Sequence, residues 1–199
     1  MIPDISKIDV TPTGYSTTVL AANGEETATL VGQGANRQYV TIDEIPLDLQ
    51  HAFVAIEDER FYDHNGIDLH GIGRAFISGL SKGRFSEGAS TITQQLIKNN
   101  VLTSWTSETS FVEKLQRKIQ EQYLALELEK QVKDKDWILE NYMNSVNLGA
   151  NTLGVQAASK KYFNKDVSEL TLSEASPRIH PATTLSHTLT KMPRDVKRC

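Results

Sequence analysis

The chain has 199 residues, of which 39% are apolar and 23% charged. That length supports one domain of ordinary size with its own core, and the composition excludes a mostly disordered chain. Lys and Arg number 21 against 25 Asp and Glu, a net charge of -4, which argues against a nucleic-acid binder driven by overall charge. The balance is uneven: residues 1–68 hold 3 basic and 12 acidic side chains, and the remainder hold 18 and 13. A basic later region suits an anionic ligand or a membrane surface, although scattered solvated charge gives the same composition. The single cysteine, Cys199, excludes an internal disulfide and a Cys-rich zinc site. No apolar run approaches the roughly 18 residues of a membrane span. Met1 to Val10 lack the apolar core of a signal peptide, so neither anchor nor leader is expected within this sequence.

Residues 1–44 read as an extended arm with a hairpin. Two β-prone runs, 15–21 and 26–31, flank Asn23-Gly24, a strong hairpin signal. Pro46 suits the first turn of a helix carrying Leu49, Ala52, Phe53 and Ile56 at helical spacing. A second helix is expected over 71–81, punctuated beyond by Gly83 and Gly88. Ser90 is the expected cap of a third, running to about Asn99 with Ile92 and Leu96 inward. Ser110-Phe-Val-Glu113 reads as a capping box opening the longest helix, to about Val132, with Leu115, Ile119, Tyr123 and Leu126 on one face. Helices at 135–146 and 154–163 follow. A capping box at Thr171-Leu-Ser-Glu174 predicts another from about Leu172, which Pro177 and Pro181 interrupt. The organisation expected is a front at 1–44, a mainly α domain at 45–175 and an atypical tail at 176–199.

Three segments concentrate chemistry. In the first, Glu57, Phe61 and His64 are spaced i, i+4, i+7 amid further carboxylates, so a partly buried acid could act as a base. A solvated acidic helix end fits the same pattern. In the second, Thr91, Gln95 and Lys98 place a hydroxyl, an amide and an ammonium in one stripe, suited to sugar or phosphate oxygens. An ordinary polar helix face fits equally. In the third, Lys114, Arg117, Lys118 and Glu121 share a face that could neutralise a pyrophosphate, or simply pair along a solvated helix. The five histidines form no recognised zinc spacing, and no phosphate-binding glycine motif is present.

Together, in order and spacing, these segments resemble the peptidoglycan glycosyltransferase domain, glycosyltransferase family 51, of class A penicillin-binding proteins and monofunctional transglycosylases. The pattern E-D-x-x-F-x-x-H-x-G fits Glu57, Asp58, Phe61, His64 and Gly66. The pattern G-x-S-T-x-T-Q-Q-L-x-K-N fits Gly88, Ser90, Thr91, Thr93, Gln94, Gln95, Leu96, Lys98 and Asn99. The pattern R-K-x-x-E-x-x-x-A-x-x-L-E fits Arg117, Lys118, Glu121, Ala125, Leu128 and Glu129. A fourth block, 138–144 with Gly149 and Gly154, is also similar, and the likeness runs over roughly 10–175. It departs after Ala175, where the family carries an apolar helix and this sequence reads Ser-Pro-Arg-Ile-His-Pro, as a frame-shifted or truncated stretch would.

The resemblance implies a mainly α, lysozyme-like fold with the short extended arm and hairpin in front. It implies polymerisation of lipid II, with Glu57 and Glu121 as the catalytic pair. Asp58, Phe61, His64, Ser90, Thr91, Gln95, Lys98, Arg117 and Lys118 are then the substrate-binding residues. It also implies a divalent cation such as Mg as candidate cofactor. Lipid II, the lipid-linked glycan, a membrane surface and other cell-wall synthesis proteins are the implied partners, and nucleic acid is not one. The implied location is the extracytoplasmic face of the bacterial cytoplasmic membrane. Val101, Leu102, Trp105 and Phe111 are candidates to dip into that membrane or to pack in the core. The alternatives are a lysozyme-like hydrolase or lytic transglycosylase, which would need a protonated acid, and an inactive lipid II-binding fragment.

Overall fold

The structure is a computed structural model, and it describes residues 9–30, 36–74, 90–102, 110–149 and 152–175. The expected tail at 176–199, most of the expected 71–81 helix and Trp105 lie outside the described residues, as does the side chain of Phe111. The architecture is mainly helical with one two-stranded antiparallel hairpin.

The hairpin pairs β1 (Thr17–Leu20) with β2 (Glu26–Leu30), Thr17 opposite Leu30. Its turn is set by Gly24, at φ +85°, and by Asn23, whose carboxamide oxygen accepts from the Glu25 amide at 3.1 Å. Helix α1 spans Leu47–Glu57, with Pro46 just ahead accepting the first backbone bonds. Leu49 and Phe53 are buried, whereas Ile56 is 49% exposed. Residues 69–74 are helical, the part of the second predicted helix that is described.

Helix α2 (Ile92–Asn100) starts one residue later than the sequence suggests. Thr91, not Ser90, is its N-cap, because the Thr91 hydroxyl accepts from the Gln94 amide at 3.2 Å while the Ser90 hydroxyl is taken by Lys118. Helix α3 (Phe111–Val132) opens on the predicted Ser110 capping box and stops at Lys133 in the left-handed conformation. Asp134 then caps α4 (Lys135–Ser145), accepting from the amides of Asp136 and Trp137 at 3.0 and 3.1 Å. Helix α5 covers Val155–Phe163, and α6 covers Leu172–Ala175, its Thr171 amide donating to Glu174 at 3.0 Å.

The described residues form two compact units. Residues within 9–13 and 53–145 make the first, and residues within 14–52 and 146–175 make the second, so α1 contributes to both. In the first unit α2 packs on α3 and α4 around Ile92, Leu96, Leu124, Leu139 and Met143, all fully buried. The apolar row Leu115, Ile119, Tyr123 and Leu126 does share one face of α3, but that face is exposed by 42 to 54%. The core face of α3 is the one carrying Glu121, Leu124, Ala125 and Leu128. Leu102, one of the candidate membrane residues, is buried. In the second unit Val40, Ile45, Val155, Ala158 and Val167 are buried, and the Gly154 amide donates to the Val146 carbonyl at 2.8 Å. Among the described residues no helix is long and apolar enough to cross a membrane.

Candidate active site

All eleven residues singled out from the sequence lie in the first unit, where the end of α1, the loop after it, α2 and α3 supply them. Glu57 is the last residue of α1 and half-buried. The Gln95 amide nitrogen donates to Glu57 Oε2 at 2.8 Å, and the Tyr142 hydroxyl donates to Gln95 Oε1 at 3.2 Å. One donor to Glu57 is thus a neutral amide from α2.

Asp58, next in sequence, is 6% exposed. Its carboxylate accepts from the Ile92 amide at 3.0 Å, at the start of α2, and from His64 Nε2 at 2.9 Å. The Gly66 amide donates to His64 Nδ1 at 3.1 Å, so Nε2 carries the imidazole proton. His64 and Asp58 are thus a brace that ties the loop to the helix. Gly66 closes that loop at φ +87°, and a Cβ there would sit 2.6 Å from the Ala125 carbonyl oxygen of α3. The Gly66 carbonyl accepts from Thr91 at 2.8 Å and from Gln94 at 3.3 Å. Phe61 is fully buried, edge-on to the His64 ring at 6.3 Å between centroids.

Three residues outside the predicted set hold this brace from below. Lys135 donates to the His64 carbonyl at 2.7 Å and to Glu129 at 2.6 Å, with its ammonium 4.5 Å from the centroid of Phe61. Thr93 donates to the other oxygen of Glu129. A buried lysine–glutamate–threonine network costs less than its isolated charges because every member is paired.

The third segment makes a second cluster. Glu121 is 1% exposed, and its two oxygens are bonded separately to Arg117 and, at 3.0 Å, to Lys118. Lys118 also donates to Ser90 at 2.6 Å and to Gln94 at 3.3 Å. Its side chain is 36% exposed and that of Arg117 22%, so both cations meet solvent while the carboxylate does not. Lys98 is exposed on the last turn of α2, and Lys114 is exposed on α3.

The clusters meet at Ser90. A cleft of about 110 Å3 is lined by Glu57, Asp58, Asp68, Arg74, Ser90 and Thr91, and it is Ser90 that Lys118 bonds. On its acidic wall, the Arg60 guanidinium bonded to Asp68 holds that carboxyl down at about 2. A roomier cavity of about 420 Å3 lies in the second unit, between Tyr15, Arg37, Tyr39 and Lys160. It contains none of the predicted residues, and its one carboxylate, Asp166, is engaged by Lys160 and Gln156.

The donor set bears on a metal. Among the described residues no group of three His, Cys, Asp or Glu is placed to hold an ion. Glu121 is the carboxylate nearest the cationic cluster, and both its oxygens are already engaged by cations. These residues do not fit a protein-held divalent ion.

Tyr142, Lys135, Glu129 and Thr93 were not marked as site residues by sequence reasoning. Tyr142 falls within the helix predicted over 135–146, and its signal is that a buried tyrosine needs a partner for its hydroxyl. Lys135 reads from sequence as an ordinary first-turn residue.

A family model described as Transglycosylase matches residues 23–179. Penicillin-binding protein 1A of Clostridium botulinum is 49% identical over 71% of this chain and 17% of its own length. Penicillin-binding protein 1F of Bacillus subtilis is 44% identical over 81% of this chain and 21% of its own. Penicillin-binding protein 1A of Escherichia coli is 42% identical over 87% of this chain and 19% of its own. The chain thus spans about a fifth of the length of these relatives, and by the extent of the family match it belongs to the transglycosylase family.

Proposed function

We propose that this chain is a peptidoglycan glycosyltransferase that polymerises lipid II. The supporting observation is the joining of a half-buried carboxylate, Glu57, to a cationic cluster through Ser90. The reaction needs both. The acceptor 4-hydroxyl attacks the anomeric carbon of the growing lipid-linked chain and gives its proton to Glu57. The bond to pyrophosphate breaks, and the electron pair leaves on undecaprenyl pyrophosphate, so the α linkage becomes β. Pyrophosphate needs its charge neutralised more than it needs a proton. Lys118 and Arg117 supply that, with Lys98, exposed on the last turn of α2, as a further cation for the same ligand. Glu121 holds the first two cations in place, and Asp58, Phe61 and His64 shape the wall beside Glu57. Among the described residues the donor set does not fit a resident ion, so no step is routed through one.

The lipid-linked substrate makes a membrane surface and other cell-wall synthesis proteins the expected partners, at the extracytoplasmic face. A hydrolase would have to protonate a poor sugar leaving group and would leave the Lys118–Arg117 cluster without a task. The test is incubation with lipid II in detergent and separation of the products. Glycan polymer is the expected result. Cleavage of preformed glycan instead would replace this reading with the hydrolase, and binding without turnover would replace it with an inactive member.

A further inference from the structure

Tyr142 sits in the core row of α4 with Ile138, Leu139 and Met143, and it is fully buried. It differs from them in carrying a hydroxyl, whose burial costs free energy unless the group is bonded. The hydroxyl donates to Gln95 Oε1 at 3.2 Å, and the Gln95 amide nitrogen donates to Glu57 Oε2 at 2.8 Å. An ionised carboxylate only accepts, so Gln95 must turn its NH2 towards Glu57. Its oxygen then faces α4, and Tyr142 must be the donor. The Phe53 ring, edge-on at 6.2 Å between centroids, holds the tyrosine ring in place. Burial, with the carboxylates of Glu57 and Asp58 nearby, pushes the phenol well above its ordinary value, so it keeps its proton and stays a donor.

We propose that Tyr142 is a positioning residue for Glu57: its hydroxyl fixes which way the Gln95 amide points, and that amide fixes the carboxylate. The proposal rests on the reading of Glu57 as the base and adds a residue that does not touch substrate. Without the hydroxyl, the amide can turn over and set its oxygen against the carboxylate. Glu57 then binds its proton more tightly and loses its orientation. Among the described residues, the other charged groups in the cleft with Glu57 are Asp58, Glu59, Asp68 and Arg74, with His64 bonded to Asp58 and Arg60 to Asp68. Removing one phenolic oxygen from α4 alters none of them.

The experiment follows the Glu57 carboxyl carbon by NMR through a pH titration of the full chain. The unaltered protein is set beside Tyr142→Phe, Gln95→Leu and the double variant. Glu57 should titrate at higher pH in both single variants, with proton affinity up about tenfold in Gln95→Leu and by a smaller factor in Tyr142→Phe. The double variant should match Gln95→Leu, because the tyrosine acts through the amide. A Glu57 titration unmoved by Tyr142→Phe overturns the proposal, as does a double variant whose shift is the sum of the two. If Tyr142→Phe does not fold, the Tyr142 Cζ resonance of the unaltered protein decides. It should step where Glu57 titrates, and a flat trace overturns the proposal. In turnover, Tyr142→Phe should lower kcat with KM unchanged.

These readouts separate two kinds of failure. An unaltered protein that makes no polymer while the Glu57 shift is present refutes the assigned reaction and leaves the link to Tyr142 standing. Polymer with no shift refutes the link alone.

Discussion

Two glutamates lie in one unit of the molecule, and the chain treats them in opposite ways. Glu57 ends α1, is half-buried, lines the cleft and accepts from the uncharged amide of Gln95. Glu121 lies mid-helix on α3, is 1% exposed, and is bonded on both oxygens by cations. A carboxylate bound to two cations and cut off from solvent cannot meet a substrate hydroxyl. A carboxylate at a cleft wall can. Identical side chains therefore divide into a group that can take a proton and a group that holds charges in place. Environment makes the division, not residue type.

The largest expected effect tests the first half of that contrast. Glu57→Gln should lower polymerisation of lipid II by about a hundredfold to ten-thousandfold, the usual range for loss of a general base. Its urea unfolding midpoint should stay close to that of the parent, because the amide can still bond Gln95. Next comes Gly66→Ala, which strikes the loop serving both glutamates. A side chain at φ +87° is strained, and its Cβ would meet the α3 backbone at 2.6 Å. Destabilisation of at least about 2 kcal/mol is expected from urea unfolding. A smaller loss would mean that the loop yields and the brace is soft. Glu121→Gln follows, with the burden reversed. It leaves Arg117 and Lys118 facing each other without a buried counter-charge, and should cost about 2 kcal/mol of stability. Equal unfolding midpoints for Glu57→Gln and Glu121→Gln would break the contrast.

Much of this arrangement was legible in the sequence, and the reasons are local. The hairpin at Asn23-Gly24, the Pro46 helix start and the Ser110 capping box each follow from backbone chemistry within a few residues. The helical period put Arg117, Lys118 and Glu121 on one face. The i, i+4, i+7 reading of Glu57, Phe61 and His64 fails, because α1 ends at Glu57 and the other two lie in the loop after it. What escaped depends on partners far along the chain. Ser90 looked like a helix cap until Lys118, 28 residues on, took its hydroxyl and left the cap to Thr91. Leu115, Ile119, Tyr123 and Leu126 make a continuous apolar row, yet α3 buries its other face, which includes Glu121. Hydrophobic period favours the first face, and the ion cluster with the Ala125–Gly66 approach selects the second. Tyr142 was readable as core but not as a donor, since its acceptor lies on another helix.

The smallest expected effect concerns a third carboxylate, one that shares a feature with each of the two glutamates. Asp68 lines the cleft as Glu57 does, but it is bonded by a cation, Arg60, as Glu121 is. That bond holds its carboxyl at about 2, below the ordinary aspartate value. The sign follows from linkage. A carboxyl depressed in the folded state contributes stability that is fully present above its unfolded value, near 4. The contribution is lost as pH falls from there through about 2, the folded value. Asp68→Asn should therefore reduce stability at neutral pH slightly and flatten the dependence of stability on pH below about 4, with no change in that dependence at higher pH. Urea unfolding midpoints between pH 2 and 7 would measure it. An unchanged acid dependence in the variant would mean that Arg60 does not hold Asp68 in solution, and the cleft would then contain two carboxylates of the Glu57 kind. If the dependence flattens as expected, Asp68 stays ionised above about pH 4. Any acid loss of activity above pH 4 then does not come from Asp68.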